Sequence, residues 1–272
     1  MCNVDDASVI CRHAFGARPD QLGTIAILME RDRTEQYKGA FDRVDHELKG
    51  GVFAGLTGRL AGAAVSAIYS KGPSNIADCV AYLARSETPC RTVVATGSVG
   101  GLGRDVGMGD FVLVDSAVGH DGYSRFLARR DGLETAGLFG NIVPATGTAL
   151  RAVEPLVGAV VQPFGVRAHR GRIFTTPAVS LEDEAFLAAV VEHDCLAIDM
   201  ETAPFYAACR EHGFDSLALH WVTDLPQTRS FFHRFRDPTS AEADWNLKHA
   251  VWLNMTKIIT TVVRKYIEGC HP

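Results

Sequence analysis

The chain has 272 residues, of which 47% are hydrophobic and 22% charged, with a formal net charge of -5. That is enough apolar material for the large core of an α/β domain, and the acidic balance excludes the concentrated basic face that a nucleic-acid backbone demands. No apolar run reaches the roughly eighteen residues of a membrane-spanning helix, so no membrane association is expected.

In chain order, residues 1–14 hold Asp5, Asp6 and Arg12 and no apolar segment, so they do not read as a secretion signal. Residues 24–28 read as a first strand, and 52–57 and 63–69 as a hairpin or adjacent strands around a 58–62 turn. Gly72-Pro73-Ser74 opens a helix reaching about residue 85, with Pro and Ser where helix starts favour them. A buried strand at 91–96 runs into a glycine-rich loop at 97–101, and 111–115 forms the next strand. A helix at 148–160, a strand at 166–175 and an amphipathic helix at 181–193 follow. Then come a strand at 195–199, a helix at 202–212 closed by Gly213, and a last strand at 217–222 entering Thr223-Asp224. Residues 240–267 read as one long amphipathic helix.

Two stretches have no clear period. Residues 122–147 read as a loop or subunit-contact region, and 227–238 carry Arg229, His233, Arg234 and Arg236 among phenylalanines. Strands alternating with helices predict a mostly parallel sheet with crossover helices. No linker or repeat interrupts residues 1–272, which read as one domain. The seven cysteines form no Cys-x-x-Cys pair and the ten histidines no ligand spacing. Reduced thiols in a cytoplasmic protein and no metal site are expected.

Ligands in open parallel sheets sit at the carboxyl ends of strands. Four such ends are polar or glycine-rich here: residues 30–33, 97–101, 199–201 and 223–224. The glycine loop lacks both the G-x-G-x-x-G spacing and a Walker lysine, so dinucleotide and P-loop readings fall. Its N–H groups suit an anion nest or, alternatively, a plain tight turn.

These residues also form motifs. Thr-Gly-Ser-Val-Gly-Gly-Leu at 96–102, Val-Gly-Met-Gly-Asp at 106–110, Ile-Asp-Met-Glu-Thr-Ala at 198–203 and Val-Thr-Asp at 222–224 resemble the nucleoside phosphorylase and nucleosidase family, as does the Lys71-Gly72-Pro73-Ser74 turn. Spacing around these motifs is similar to that of bacterial hexameric purine nucleoside phosphorylases, and Gly72 to Asn75 also looks like AMP nucleosidase. The resemblance implies a single-domain, three-layer α/β fold with a central mixed, barrel-like sheet flanked by helices.

It further implies roles, residue by residue. Glu201 would accept from the ribose 2′- and 3′-hydroxyls, a bidentate task suited to a carboxylate. Met200 would pack on the sugar, and His13, donated by a neighbouring subunit, would meet the 5′-hydroxyl. Asp224 would protonate the purine leaving group at N7, although a helix N-cap is the bland alternative for that residue. Arg33, Ser98 and a neighbour's Lys49 would hold phosphate, while Ala95 stands where the phosphorylases carry another arginine. Val179, Ser180 and Thr223 would border the base. Val179 replaces the stacking phenylalanine of purine phosphorylases, leaving Phe231, Phe232 or Trp221 as substitutes. The Gln and Arg with which uridine phosphorylases read uracil are missing from residues 176–184, which favours a purine.

The expected reaction is phosphorolysis of a purine nucleoside to free base and ribose 1-phosphate. Alternatives are a hydrolytic nucleosidase, with Asp32 or Glu35 as base, and a nucleotide sensor without turnover. No cofactor is implied, inorganic phosphate is a co-substrate only for phosphorolysis, and the expected partners are a nucleoside or nucleotide. His13 and Lys49 imply a homo-oligomer, from dimer to hexamer.

Overall fold

The computed structural model describes residues 6–133, 137–227 and 254–269. In chain order these form α1 (Ala7–Phe15), β1 (Ile25–Met29), α2 (Thr34–Ala40), β2 (Arg43–Lys49), β3 (Ala54–Leu60), β4 (Ala63–Tyr69) and α3 (Ile76–Arg85). There follow β5 (Thr92–Thr96), β6 (Ser98–Gly101), β7 (Phe111–Gly119), α4 (Gly122–Arg130), β8 (Ile142–Pro144), α5 (Ala149–Val161) and β9 (Ala168–Thr175). The last are α6 (Glu184–Glu192), β10 (Cys195–Asp199), α7 (Thr202–His212), β11 (Asp215–Asp224) and α8 (residues 254–269).

β1 is buried along its whole length and pairs in parallel with β4 and β5, as an uninterrupted Ile-Ala-Ile-Leu-Met run requires of a central strand. β11 extends the sheet by pairing in parallel with β5 through Asp215 to Ala218, then with β6 through Trp221 to Asp224. β11 is also antiparallel to β7, from Ala218 opposite Val114 to Trp221 opposite Phe111. That pairing closes β11, β6, β10, β9 and β7 into a mixed five-stranded barrel, with β5, β1, β4, β3 and β2 continuing outward as an open sheet. The fold is mixed α/β around a barrel-like sheet, as the resemblance implies.

Helices cover both faces. α7 begins directly after the β10 strand end and is buried continuously from Thr202 to Cys209. Ala203, Ala207 and Ala208 keep it slim enough to lie in the core beside Phe205 and Tyr206. Truncating Phe205 would cost about 3–5 kcal/mol. On the other face, Met255, Ile258, Ile259, Val262 and Val263 recur at helical spacing along α8 and pack with Ile27 and Met29 of β1 and Val153 of α5. The described cysteines 11, 79, 90, 195 and 209 are buried and unbridged. No helix among the described residues is long and apolar enough to cross a membrane.

The structure departs from the sequence expectations in several places. Residues 98–101 are a strand, not a loop, because their glycines serve packing: a Cβ on Gly100 would lie 2.6 Å from Pro226 Cγ, and one on Gly101 would lie 2.8 Å from Val222 Cγ1. Residues 122–147 contain α4, whose N-cap Asp121 accepts from the Ser124 N–H, and the short β8. α1, α2 and β2 also form where no element was expected. Only Leu48 of β2 is buried, so that strand has no apolar alternation to read. Of the expected 240–267 helix, the part from 254 is helical and the rest lies outside the described residues.

Candidate active site

The carboxyl ends of β1, β5, β10 and β11 converge on a cavity of about 250 Å³. Glu30 and Arg31 enter it from β1, Ser98 from the start of β6, Met200 and Glu201 from the end of β10, and Thr223 and Asp224 from β11. Val179 and Glu182, in the turn between β9 and α6, form another wall. Acids predominate: Glu30, Glu182, Asp199, Glu201 and Asp224 line the space, against Arg31 as the one Lys or Arg among the described lining residues.

Glu201 is 3% exposed. One carboxylate oxygen accepts from the Met200 N–H at 3.0 Å, whereas Oε1 meets no hydrogen-bond donor among the described residues. A buried acceptor without a donor is costly, and one bordering a cavity is ready for a ligand hydroxyl. Burial first, then the charges of Glu30 and Asp199, hold the Glu201 carboxyl well above the usual carboxylate range. The two glutamates meet over Gly97, where a Cβ would lie 2.5 Å from Glu201 Oε1 and 3.1 Å from the Glu30 carboxyl carbon. Only glycine leaves room for both.

Asp199 is the structural member of its motif. Its carboxylate accepts from the Thr175 hydroxyl at 2.7 Å and from the Thr202 N–H at 2.9 Å, and also from the Thr202 hydroxyl. That hydroxyl lies 2.8 Å from Nε2 of His220, a ring kept neutral because burial pushes its pKa down to about 4. Since the Thr202 hydroxyl donates to Asp199, His220 Nε2 donates to Thr202. The network fixes the β10-to-α7 corner from which Glu201 projects.

Glu30 holds the Ser98 donors. Its Oε1 accepts from the Ser98 N–H at 3.0 Å and from the Ser98 hydroxyl at 2.7 Å. From the sequence Glu30 only opens the polar strand end 30–33, and its proximity to Ser98 arises when β1 and β5 lie side by side. At the opposite wall the Thr223 hydroxyl donates to Asp224 at 2.8 Å, beside a register shift between β11 and β6 that re-aims this strand end.

The structure therefore gathers Ser98, Val179, Met200, Glu201, Thr223 and Asp224, all expected near the site, around one space. It places others elsewhere. The buried Arg33 meets the Met255 sulfur at 3.4 Å and lies over the Trp221 ring, so neither Arg33 nor Trp221 lines this cavity. Lys49, at the exposed end of β2, pairs with Glu47 at 2.6 Å. His13 borders a separate, larger cavity between α1, α3 and α4. Ser180 is exposed and does not border the site. Asp32 binds the Thr34 hydroxyl, and Glu35 borders a separate surface cleft with it and Lys49. Arg229, Phe231, Phe232, His233, Arg234 and Arg236 lie outside the described residues. No group of three or more His, Cys, Asp or Glu among the described residues is arranged to hold a metal.

The family model described as the phosphorylase superfamily matches residues 25–264, which include every strand and the whole cavity. This chain belongs to the phosphorylase superfamily. A uridine phosphorylase from Vibrio fischeri ES114 superposes with a TM-score of 0.72 at 14% identity, covering 98% of this chain and 100% of that one. A 5′-methylthioadenosine/S-adenosylhomocysteine nucleosidase from Neisseria meningitidis, in complex with methylthio-immucillin-A, gives 0.65 at 21% identity, covering 89% and 99%. At these identities the likeness is one of fold. No curated protein gives a significant match to the sequence. As a superfamily member the chain is a glycosidic-bond-cleaving enzyme of the nucleoside phosphorylase and nucleosidase group.

Proposed function

We propose that this chain hydrolyses the N-glycosidic bond of a purine nucleoside or nucleotide, with water rather than phosphate as nucleophile. One observation carries the choice: the Glu30 carboxylate occupies both Ser98 donors, the N–H and hydroxyl on which a phosphate would be held. A phosphate dianion at that point would face Glu30 and Glu201, with Arg31 as the one Lys or Arg among the described lining residues, Ala95 in place of a second cation and Arg33 held over Trp221. Like charges at such range disfavour binding. For that reason the proposal departs from the phosphorolysis expected from the sequence.

The roles then follow from position. Glu201 accepts from the ribose hydroxyls through its undonated Oε1, and Met200 contacts the sugar. Glu30 takes a proton as a water oxygen bonds to C1′ and the C1′–N bond breaks. Asp224, in its protonated form, donates to N7 as electrons flow into the base, which leaves neutral. The proton gained by Glu30 returns to Asp224 through solvent. The absence of a uracil-reading Gln and Arg from residues 176–184 supports the purine. His13 and Lys49 lie on faces away from this cavity, so serving an active site requires a neighbouring copy, and the reading includes at least a dimer.

The test measures free-base release from purine nucleosides with and without inorganic phosphate, with product sugars separated. Hydrolysis gives ribose at a rate indifferent to phosphate. Strict phosphate dependence with ribose 1-phosphate as product would restore the phosphorylase.

A further inference from the structure

Outside the cleavage machinery, one carboxyl in the cavity has no assigned task. Glu182 follows the short 3-10 turn Val179–Leu181 and lines the same space as Asp224. Its position is fixed on both sides. Its own N–H donates to the Val179 carbonyl at 3.1 Å, and the next residue, Asp183, caps α6 by accepting from the Phe186 N–H at 2.8 Å. A second carboxyl is thus held in the lining of the cavity that Asp224 also borders. The other charged groups lining the cavity are Glu30, Arg31, Asp199 and Glu201, and they enter from the β1 and β10 strand ends. Burial, then the Asp224 charge, pushes the Glu182 carboxyl up to about 7.

We propose that Glu182 is a second base-reading residue, which pairs with Asp224 to select a 6-aminopurine over a 6-oxopurine. This rests on the glycosidic-bond reading and adds the substrate class to it. Two carboxyls holding one proton between them present one O–H donor beside an acceptor. The matching edge of adenine offers the converse, an acceptor at N7 and a donor at its 6-amino group. A 6-oxopurine offers two acceptors on that edge, N7 and O6, and needs two donors. Supplying them would require both carboxyls to be protonated. A mismatch of this kind leaves a buried oxygen facing another oxygen, the arrangement that gives polar sites their selectivity.

The experiment has two arms, both with wild-type protein and the E182Q and E182A variants, near pH 7. One measures binding of free adenine and hypoxanthine by calorimetry. The other measures kcat/KM for adenosine and inosine. Wild type is expected to favour the 6-amino compound by about tenfold or more in both. E182Q brings an amide that can donate to O6, so the preference collapses about tenfold. E182A weakens adenine without gain for hypoxanthine. A wild-type preference for the 6-oxopurine, or a preference unchanged in folded E182Q and E182A, would overturn the pairing. The two arms separate the two readings. The stated binding preference without base release from any nucleoside would support the pairing and remove bond cleavage alone. Base release with a preference indifferent to residue 182 would remove the pairing alone.

Discussion

Glu30 and Ser98 are joined by two hydrogen bonds through one carboxylate oxygen, 3.0 Å from the backbone N–H and 2.7 Å from the hydroxyl. That oxygen is fixed, and Oε2 is the atom left to take a proton. Glu30→Gln keeps the size and the acceptor but removes the base. Turnover is expected to fall about 10²–10⁴-fold with KM little changed. Steady-state kinetics on the preferred nucleoside checks this, and an unimpaired kcat would remove Glu30 from the mechanism.

Asp224→Asn is the matching test at the other wall. An amide can still donate a hydrogen bond to N7 but cannot deliver a proton, so binding should survive while kcat drops by about 10²-fold or more. A substrate bearing a better leaving group should recover much of the loss. Full activity on purines would show that Asp224 only shapes the strand end.

Glu201→Gln should separate stability from activity. In the folded protein the Glu201 carboxyl is raised well above 4.5 by burial and by Glu30 and Asp199, so keeping it ionised opposes folding. A group of that kind lowers stability progressively as pH rises above the unfolded value. The amide has no proton to lose. Thermal melting is expected to show E201Q gaining on wild type as pH rises, while kcat/KM falls sharply from the weaker acceptor toward ribose.

Glu182 gives a pH window with the same sign. Its carboxyl moves from 4.5 to about 7 on folding, so wild type loses stability between those values relative to E182Q. The difference in melting temperature, E182Q minus wild type, should grow from about pH 5 to pH 7 and flatten above pH 8. A difference that stayed level across that range would mean the group titrates as in a solvated loop.

Gly97→Ala tests the crowding between the two glutamates. The added methyl would stand 2.5 Å from Glu201 Oε1, forcing the carboxylates apart. Destabilisation of about 1–3 kcal/mol is expected, with activity lost beyond what stability explains. Denaturant melts alongside base-release rates distinguish the two effects.

The parts legible in the sequence were those whose physics is local. β1 read directly because a strand buried on both faces carries an unbroken apolar run, and β10 and β11 because their runs are short, mostly apolar and bounded by polar residues, with His220 the one polar residue inside 217–222. The Asp199-Met200-Glu201 corner read equally well because motif and strand end coincide. β6 did not, since Gly100 and Gly101 signal a turn until Pro226 and Val222 are packed against them. Arg33 followed its motif on paper, yet its guanidinium lies beside Met255, 222 positions away, a contact that only the docking of α8 creates. Glu30 read only as part of a polar strand end and Glu182 only within the 176–184 segment, because the surroundings that give each a role, Ser98 for one and the shared cavity for the other, are set by the fold.

β11 is hydrogen-bonded to β5 and β6 along one edge and to β7 along the other. The strand ends bearing Ser98, Glu201 and Asp224 are therefore stitched into one ladder, and their mutual spacing cannot be retuned without undoing the barrel. Residues 179–182 stand outside that ladder, on a short turn between β9 and α6. Under the proposed pairing, choice of base is divided between Asp224, held in the ladder, and Glu182, on a turn outside it, so substitutions at residue 182 are expected to shift ring preference while Glu30, Glu201 and Asp224 stay in place.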